Sequence, residues 1–193
     1  MTTTAAAKAP DLSWLTTYYY LRFAVAAAWV AVAFTIAGTM PALAAAMLVV
    51  YPAWDALANY LDAARSGGLA RNKSQMLNLA VSTVTAVAVA ATLPQGPHAV
   101  LQVFGVWAML SGLFQLATGV RRWKAYGAQW AMILSGAQSG LAGAHMLSKA
   151  AGLAAVGIAD IVPYAAFGAF YFLVSAVSLT VSAARRRAKV AAA

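Results

Sequence analysis

The 193-residue chain contains no cysteine and no glutamate, and only 9% of its residues are charged. The lack of cysteine excludes disulfides, thiolate metal sites and cysteine nucleophiles. Two histidines and four acids, all of them aspartate, leave too few ligands for a usual metal centre. The sequence also lacks a GxSxG, HExxH, phosphate-loop or dinucleotide-binding motif. We therefore expect a protein that is not an enzyme and that needs no metal or cofactor.

Apolar side chains make up 63% of the chain, against roughly 45–50% in a soluble domain. An apolar helix of about 20 residues crosses a hydrocarbon layer of roughly 30 Å, and six such stretches are present. The sequence therefore predicts an all-α integral membrane protein, a bundle of six transmembrane helices in the lipid bilayer. The predicted spans are residues 15–38, 40–64, 75–93, 99–120, 128–148 and 160–183.

The first two spans are separated by one short break in a long apolar run. Gly38 and Pro41 lie close together there, and proline suits the first position of a new helix, so we predict a turn rather than a kink. The alternative is a signal peptide with an apolar core at 23–37 and a cleavage site at 42–44. That core begins late, and an aromatic cluster precedes it instead of a short basic region.

Basic residues indicate the orientation, because short loops that carry Lys or Arg stay on the cytoplasmic side of a membrane. With six spans and both termini in the cytoplasm, only Lys149 of the thirteen basic residues lies outside. The predicted organisation is a mobile arm (1–14), a transmembrane domain (15–184) and a basic cytoplasmic tail (185–193). The net charge of +9 does not indicate nucleic-acid binding, since the basic residues lie between apolar runs and do not share one face.

The even-numbered spans share a pattern when their basic exits, Arg65, Arg121 and Arg185, are aligned. Each span has an aromatic residue fourteen positions before the exit and a polar residue ten positions before it. These residues are Tyr51, Trp107 and Tyr171, followed by Asp55, Ser111 and Ser175. The pattern predicts three repeated hairpins, 15–64, 75–120 and 128–183, around an axis along the membrane normal. Chance similarity between alanine-rich helices is the alternative.

Small residues line one face of the fifth span, where Gly136, Gly140 and Ala144 recur at every fourth position with Gly143 beside them. Lipid supplies no hydrophobic drive between helices, so a flat face of this kind favours close packing against a neighbour. The neighbour is either another span of the same chain or a second copy in a homo-oligomer.

Three helix pairs with an aromatic-rich even helix, a small polar residue one turn later and a basic exit resemble the HdeD-like family of acid-resistance membrane proteins. The segments VFGVWAMLSGLFQLATGVRR (103–122) and QWAMILSGAQSGLAG (129–143) carry most of the resemblance. The resemblance implies a non-enzymatic bacterial inner-membrane protein that acts in acid or envelope stress. The first hairpin departs from the family pattern, because Arg22 and Asp55 lie inside its spans.

Arg22 and Asp55 lie at the same depth in the first and second spans. A lone charge inside the bilayer is unfavourable by about 3 kcal/mol or more, so we predict that the two residues form an ion pair. Polar residues at helical spacing share a face with one or the other member of the pair. They are Tyr18, Tyr51, Asn59 and Asp62.

Two interpretations of this polar stripe stay open. It is a pocket toward the cytoplasm that holds a proton or a small cationic group, in a small proton-linked transporter or channel, or it is an internal ion pair that fixes the first hairpin. The off-centre position of the pair favours the second. Other polar residues, among them Asn78, Gln115 and Gln138, would bond between helices or, if they converge with Ser111 and Ser175, line a water-filled path.

Both histidines, His98 and His145, fall at predicted outer ends of spans, on the side where Asp160 is the only acid. With an unperturbed pKa of about 6.5, they would gain charge as the outer medium acidifies, which predicts a pH-responsive outer end. The alternative, which we favour, is that both are interface residues whose protonation changes nothing.

Overall fold

The structure, a computed structural model, describes residues 12–121 and 129–191 of the chain. Six α-helices follow one another, and the described residues contain no strand, which confirms the predicted all-α fold. The helices are α1 (Leu12–Thr35), α2 (Pro41–Arg65), α3 (Lys73–Thr92), α4 (Pro97–Arg121), α5 (Gln129–Ala150) and α6 (Val162–Ala191). Most of the predicted N-terminal arm and the last two residues of the predicted tail lie outside the described residues.

Five helices, α1 to α4 and α6, are long and apolar enough to cross a membrane, judged over the described residues. Such a set of helices is typical of a multi-pass membrane protein. The 22-residue α5 is long enough as well, but Gln138, His145 and Lys149 interrupt its apolar sequence, and it is not among these five.

The chain turns between α1 and α2 at the predicted break. α1 ends at Thr35, a short 3-10 helix covers Ala37–Thr39, and Pro41 is the first residue of α2. Proline stabilises a helix start because its fixed φ suits that position and its missing N–H is not needed there. Pro97 begins α4 in the same way.

The helices form a ring in which each packs against the next along the chain, and α1 closes the ring against α6. The most extensive interfaces are those of α2 with α3, α4 with α5, and α6 with α1. Contacts within the pairs α1–α2, α3–α4 and α5–α6 are sparser. Three extensive interfaces thus alternate with three slighter ones around the ring.

Aromatic side chains from three helices meet inside the ring. The ring centroid of Tyr51 on α2 lies 4.7 Å from that of Trp29 on α1 and 5.8 Å from that of Trp107 on α4. Trp107 also contacts Phe104 of its own helix, at 5.8 Å and close to edge-on. Edge-to-face pairs of this kind are favourable beyond the area they bury. These rings hold α1, α2 and α4 together in one core.

The segment between α5 and α6 closes one end of the ring. Ile158 and Ile161 are buried in the same core as the aromatic residues. Asp160 forms a salt bridge with Lys149 at the end of α5, which anchors the segment to that helix. The predicted outer loop is therefore packed into the end of the bundle.

Helices α4 and α5 approach until their backbones nearly touch. A Cβ atom at Gly112 would lie 2.6 Å from the carbonyl oxygen of Gly136 and 2.6 Å from the nitrogen of Gly140. A Cβ atom at Gly143 would lie 2.6 Å from the carbonyl oxygen of Gly105. The glycine face predicted on α5 therefore packs against α4 of the same chain, while Ala144 is exposed.

We expect Gly112→Ala and Gly143→Ala each to lower the free energy of unfolding by about 1–3 kcal/mol, because the added methyl group meets main chain that cannot move aside. Gly140→Ala is the matched control, since a Cβ atom there has no neighbour within 4 Å. Apparent melting temperatures in detergent, followed by circular dichroism, measure the difference. Equal melting temperatures for the three variants would show that the helices are not in close contact.

Candidate functional site

A cavity of about 170 Å³ lies inside the ring, and all six helices contribute to its wall. A dry cavity of roughly 150 Å³ holds a benzene molecule, so a small solute fits in this one. We call it the central cavity. Its hydrogen-bonding side chains are Arg22, Tyr51, Asp55, Asn59, Asn78, Ser111, Gln115, Ser135, Gln138, Ser139, Tyr164 and Tyr171, and its other aromatic residues are Trp54, Trp107, Phe167 and Phe172.

Arg22 of α1 and Asp55 of α2 form a salt bridge in the wall of the central cavity. Their side chains are only 13% and 20% exposed. Arg22 also donates from Nη1 to the Tyr18 hydroxyl at 3.0 Å, and its guanidinium carbon lies 4.2 Å from the ring centroid of Phe172 on α6. A cation over an aromatic face is attracted by the ring quadrupole. The charge of Arg22 is thus stabilised from two other helices.

Several side chains fix the position of the Asp55 carboxylate. Oδ1 accepts from Arg22, while Oδ2 accepts from Ser82 Oγ at 2.7 Å and from Asn59 Nδ2 at 3.1 Å. Ser82 Oγ in turn accepts from Trp107 Nε1 at 3.1 Å. These bonds join α1, α2, α3 and α4, so they hold the carboxylate in one orientation.

Several donors in the wall have no partner among the residues that the structure describes. The Nε atom of Arg22 is buried and unbonded. Gln115 accepts from Ser135 Oγ at 3.2 Å and Gln138 accepts from the Tyr171 hydroxyl at 2.9 Å, in each case through the amide oxygen. Each amide NH₂ group has two further bonds to donate. The central cavity therefore offers hydrogen-bond donors to a solute.

Four of the six residues predicted for the polar site line the central cavity: Arg22, Tyr51, Asp55 and Asn59. Tyr18 and Asp62 are buried but lie outside its wall. The Tyr18 hydroxyl accepts a hydrogen bond from Arg22 of the same helix, and Asp62 of α2 accepts one from Gln75 of α3 at 2.9 Å. Tyr18 thus supports Arg22 from within α1, and Asp62 links α2 to α3.

The residues predicted to respond to outer pH do not form one cluster. Asp160 pairs with Lys149, and within the described part of the chain neither histidine forms a salt bridge with it. His98 Nε2 lies 3.1 Å from the carbonyl oxygen of Ala154, and His145 is exposed on α5. An imidazole can donate to a carbonyl in its neutral or its charged form, so this contact does not require one protonation state.

Convergence of Asn78, Gln115 and Gln138 with Ser111 is one of the alternatives that the sequence leaves open, and the structure brings all four to the cavity wall. Ser175 is not part of that wall. Other wall residues carry no obvious signal in the sequence. They are Ser135, Ser139, Tyr164 and Phe172. The three-residue spacing of Ser135 to Gln138 and the seven-residue spacing of Tyr164 to Tyr171 are helical spacings that could have indicated two of them.

No protein-family model, no curated protein and no solved structure matches the chain. The resemblance to the HdeD-like family therefore stays a prediction. The chemistry of the central cavity is the remaining basis for a function.

Ser82→Ala removes the hydroxyl that links Asp55 to Trp107. We expect the free energy of unfolding to fall by about 1–3 kcal/mol, because a partly buried carboxylate oxygen and a buried indole N–H each lose a partner. Thr83→Ala is the control, since the Thr83 hydroxyl is exposed and bonds only to its own helix, at 2.7 Å from the Leu79 carbonyl oxygen. Apparent melting temperatures in detergent compare them. Similar values would mean that the bonds through Ser82 contribute nothing to stability.

Proposed function

We propose that the chain is a multi-pass membrane protein that binds a small polar solute in the central cavity and carries it across the bilayer. The observation that supports this proposal is the convergence of polar side chains from all six helices on one cavity of about 170 Å³. Polar groups in an apolar layer are unfavourable unless they are paired, and a purely structural bundle would pair them directly rather than around a space. Small-molecule sites between the helices of a bundle have this composition.

The proposal includes six spans in a bacterial inner membrane, with both termini in the cytoplasm. α5 is a span in spite of its polar residues, because Ser135, Gln138 and Ser139 line the cavity instead of facing lipid. The 30-residue α6 is about 45 Å long, so its exposed basic stretch at 185–189 extends beyond the hydrocarbon layer. Arg65 and Lys73 lie at the same end of the ring, where anionic lipid attracts them.

Single cysteines test this topology, because the natural chain has none. In whole cells, a membrane-impermeant maleimide is expected to label Gln95→Cys and Leu153→Cys from outside. Ser66→Cys and Ala188→Cys should react only after the membrane is permeabilised. Labelling of Ser66→Cys and Ala188→Cys from opposite sides would exclude the six-span arrangement.

Uptake into proteoliposomes across a pH gradient tests transport. We expect the natural protein to accumulate at least one class of small polar solute. We expect Asp55→Asn to abolish proton-driven uptake, because it removes the one acid among the described wall residues. Ser175→Ala is the control, since Ser175 lies on α6 outside that wall. A correctly folded natural protein that moves neither solute nor protons would contradict the proposal.

A structural membrane component of the HdeD-like kind, acting in acid or envelope stress, is a second candidate. The bonds from Arg22 through Asp55 and Ser82 to Trp107 favour it, because they hold four helices together as a stabilising network would. In that case the ion pair serves stability alone. The uptake experiment separates the candidates, since a structural component has no flux for Asp55→Asn to abolish.

A further inference from the structure

Arg22 and Asp55 are the only ionic residues in the described wall of the central cavity. The other polar groups there are amides, hydroxyls and phenols from α2 to α6. While Asp55 is ionised, the pair leaves the cavity without net charge. Any charged solute that enters must therefore be balanced by a change in the protonation of this pair, because a net charge in an apolar layer is unfavourable.

The hydrogen bonds of the three guanidinium nitrogens of Arg22 indicate which class of solute would bind. Nη1 is bonded to Tyr18, Nη2 to Asp55, and the buried Nε to no described residue. Nε and Nη2 form one edge of the guanidinium, which is the edge that binds a carboxylate through two parallel hydrogen bonds. Asp55 uses only half of this edge, so a carboxylate that contacts both atoms forms one more charge-assisted hydrogen bond than Asp55 does.

The contacts of Asp55 allow it to lose its bond to Nη2 of Arg22 without moving. Its Oδ2 atom is held by Ser82 and Asn59, whereas Oδ1 bonds, among the described residues, to Arg22 alone. A proton added to Oδ1 removes the charge that holds Nη2 and leaves the bonds to Oδ2 in place. The guanidinium then remains as an uncompensated cation that faces the cavity.

Three helices contribute the titratable and charged groups near Asp55. α1 contributes Arg22 and Tyr18, α2 contributes Tyr51 and Asp62, and α6 contributes Tyr164 and Tyr171. The described wall residues of α3, α4 and α5 are uncharged. Among the described residues of the wall, no second acid competes with Asp55 for the proton.

We infer that the central cavity binds a small monocarboxylate on Arg22 together with one proton on Asp55, an inference that rests on the proposed transport function. The loaded cavity holds a neutral Asp55 and an ion pair of Arg22 with the solute, so its net charge equals that of the empty cavity. The solute anion and the proton therefore enter and leave together. Gln115 and Gln138 donate to the polar part of the solute, and Trp54 and Phe167 contact its carbon chain.

The volume of the central cavity limits the carbon chain to a few atoms. About 170 Å³ holds a molecule of the size of benzene, such as lactate, but not the acyl chain of a lipid. A soluble carboxylate is thus the expected source, rather than a fatty acid from the membrane. Lactate and octanoate are probes that separate the two sources.

Calorimetry of the full-length protein in detergent tests the inference with lactate as the probe. In buffers that differ in ionisation enthalpy, we expect about one proton to be taken up for each lactate bound. Arg22→Gln should weaken binding by about 10- to 100-fold, the effect of losing charge-assisted hydrogen bonds. Arg65→Gln is the matched control, because Arg65 lies over the ring of Trp14 outside the cavity, and it should bind like the natural protein.

Asp55→Asn keeps the inference testable if Arg22→Gln does not fold. Asparagine imitates the protonated acid, so this variant should bind lactate without proton uptake and with an affinity that does not depend on pH. Pyruvate should behave like lactate, and octanoate should not bind. Lactate binding without proton uptake by the natural protein, or with proton uptake by Asp55→Asn, would overturn the inference.

The failure of this inference is distinguishable from the failure of the proposed function. In proteoliposomes, uptake of a neutral polar solute such as urea without uptake of lactate would overturn the carboxylate inference and leave the transport function standing. Absence of all uptake would overturn both. Lactate uptake that follows the proton gradient and ignores the membrane potential supports both, because an anion and a proton carry no net charge together.

Discussion

Arg22 and Asp55 face each other between apolar helices, where neither charge is stable alone. Their attraction requires α1 and α2 to turn these residues toward the interior, although the two helices make few other contacts. Ser82 of α3 and Trp107 of α4 must also face the interior, because the second oxygen of the Asp55 carboxylate needs hydrogen-bond donors. The rotation of four helices about their axes thus depends on one ion pair and the groups that satisfy it.

Each of three faces of α5 has different surroundings, which together account for the position of this helix. Gly136 and Gly143 allow backbone contact with α4, while Ser135 and Gln138 line the central cavity. Leucines such as Leu141 are exposed on the remaining face, where lipid would cover them. A helix of moderate polarity is therefore compatible with a place in the bundle, because its polar groups contact other polar groups and its small residues bring them close.

The third even helix, α6, departs from the pattern of α2 and α4. Alignment on the basic exits matches Tyr171 to Trp107, yet the residue of α6 that packs on Trp107 is Tyr164, at 5.8 Å. Tyr164 lies seven residues earlier, about two helical turns. The segment before α6 is folded into the ring through Ile158 and Ile161. This shift also accounts for the place of Ser175 outside the cavity wall.

The amino-acid sequence by itself determined the helices, the break at Pro41 and the meeting of Arg22 with Asp55, because each depends on local composition or on depth counted from a helix end. Only the tertiary structure decided that polar residues of α3 to α6 join that pair around one cavity. Their convergence depends on how each helix is rotated and on which neighbour it touches. Backbone contacts such as that of Gly112 with Gly136 determine which faces of α4 and α5 meet. A periodic pattern in the sequence indicates a face of a helix but not the helix that packs against it.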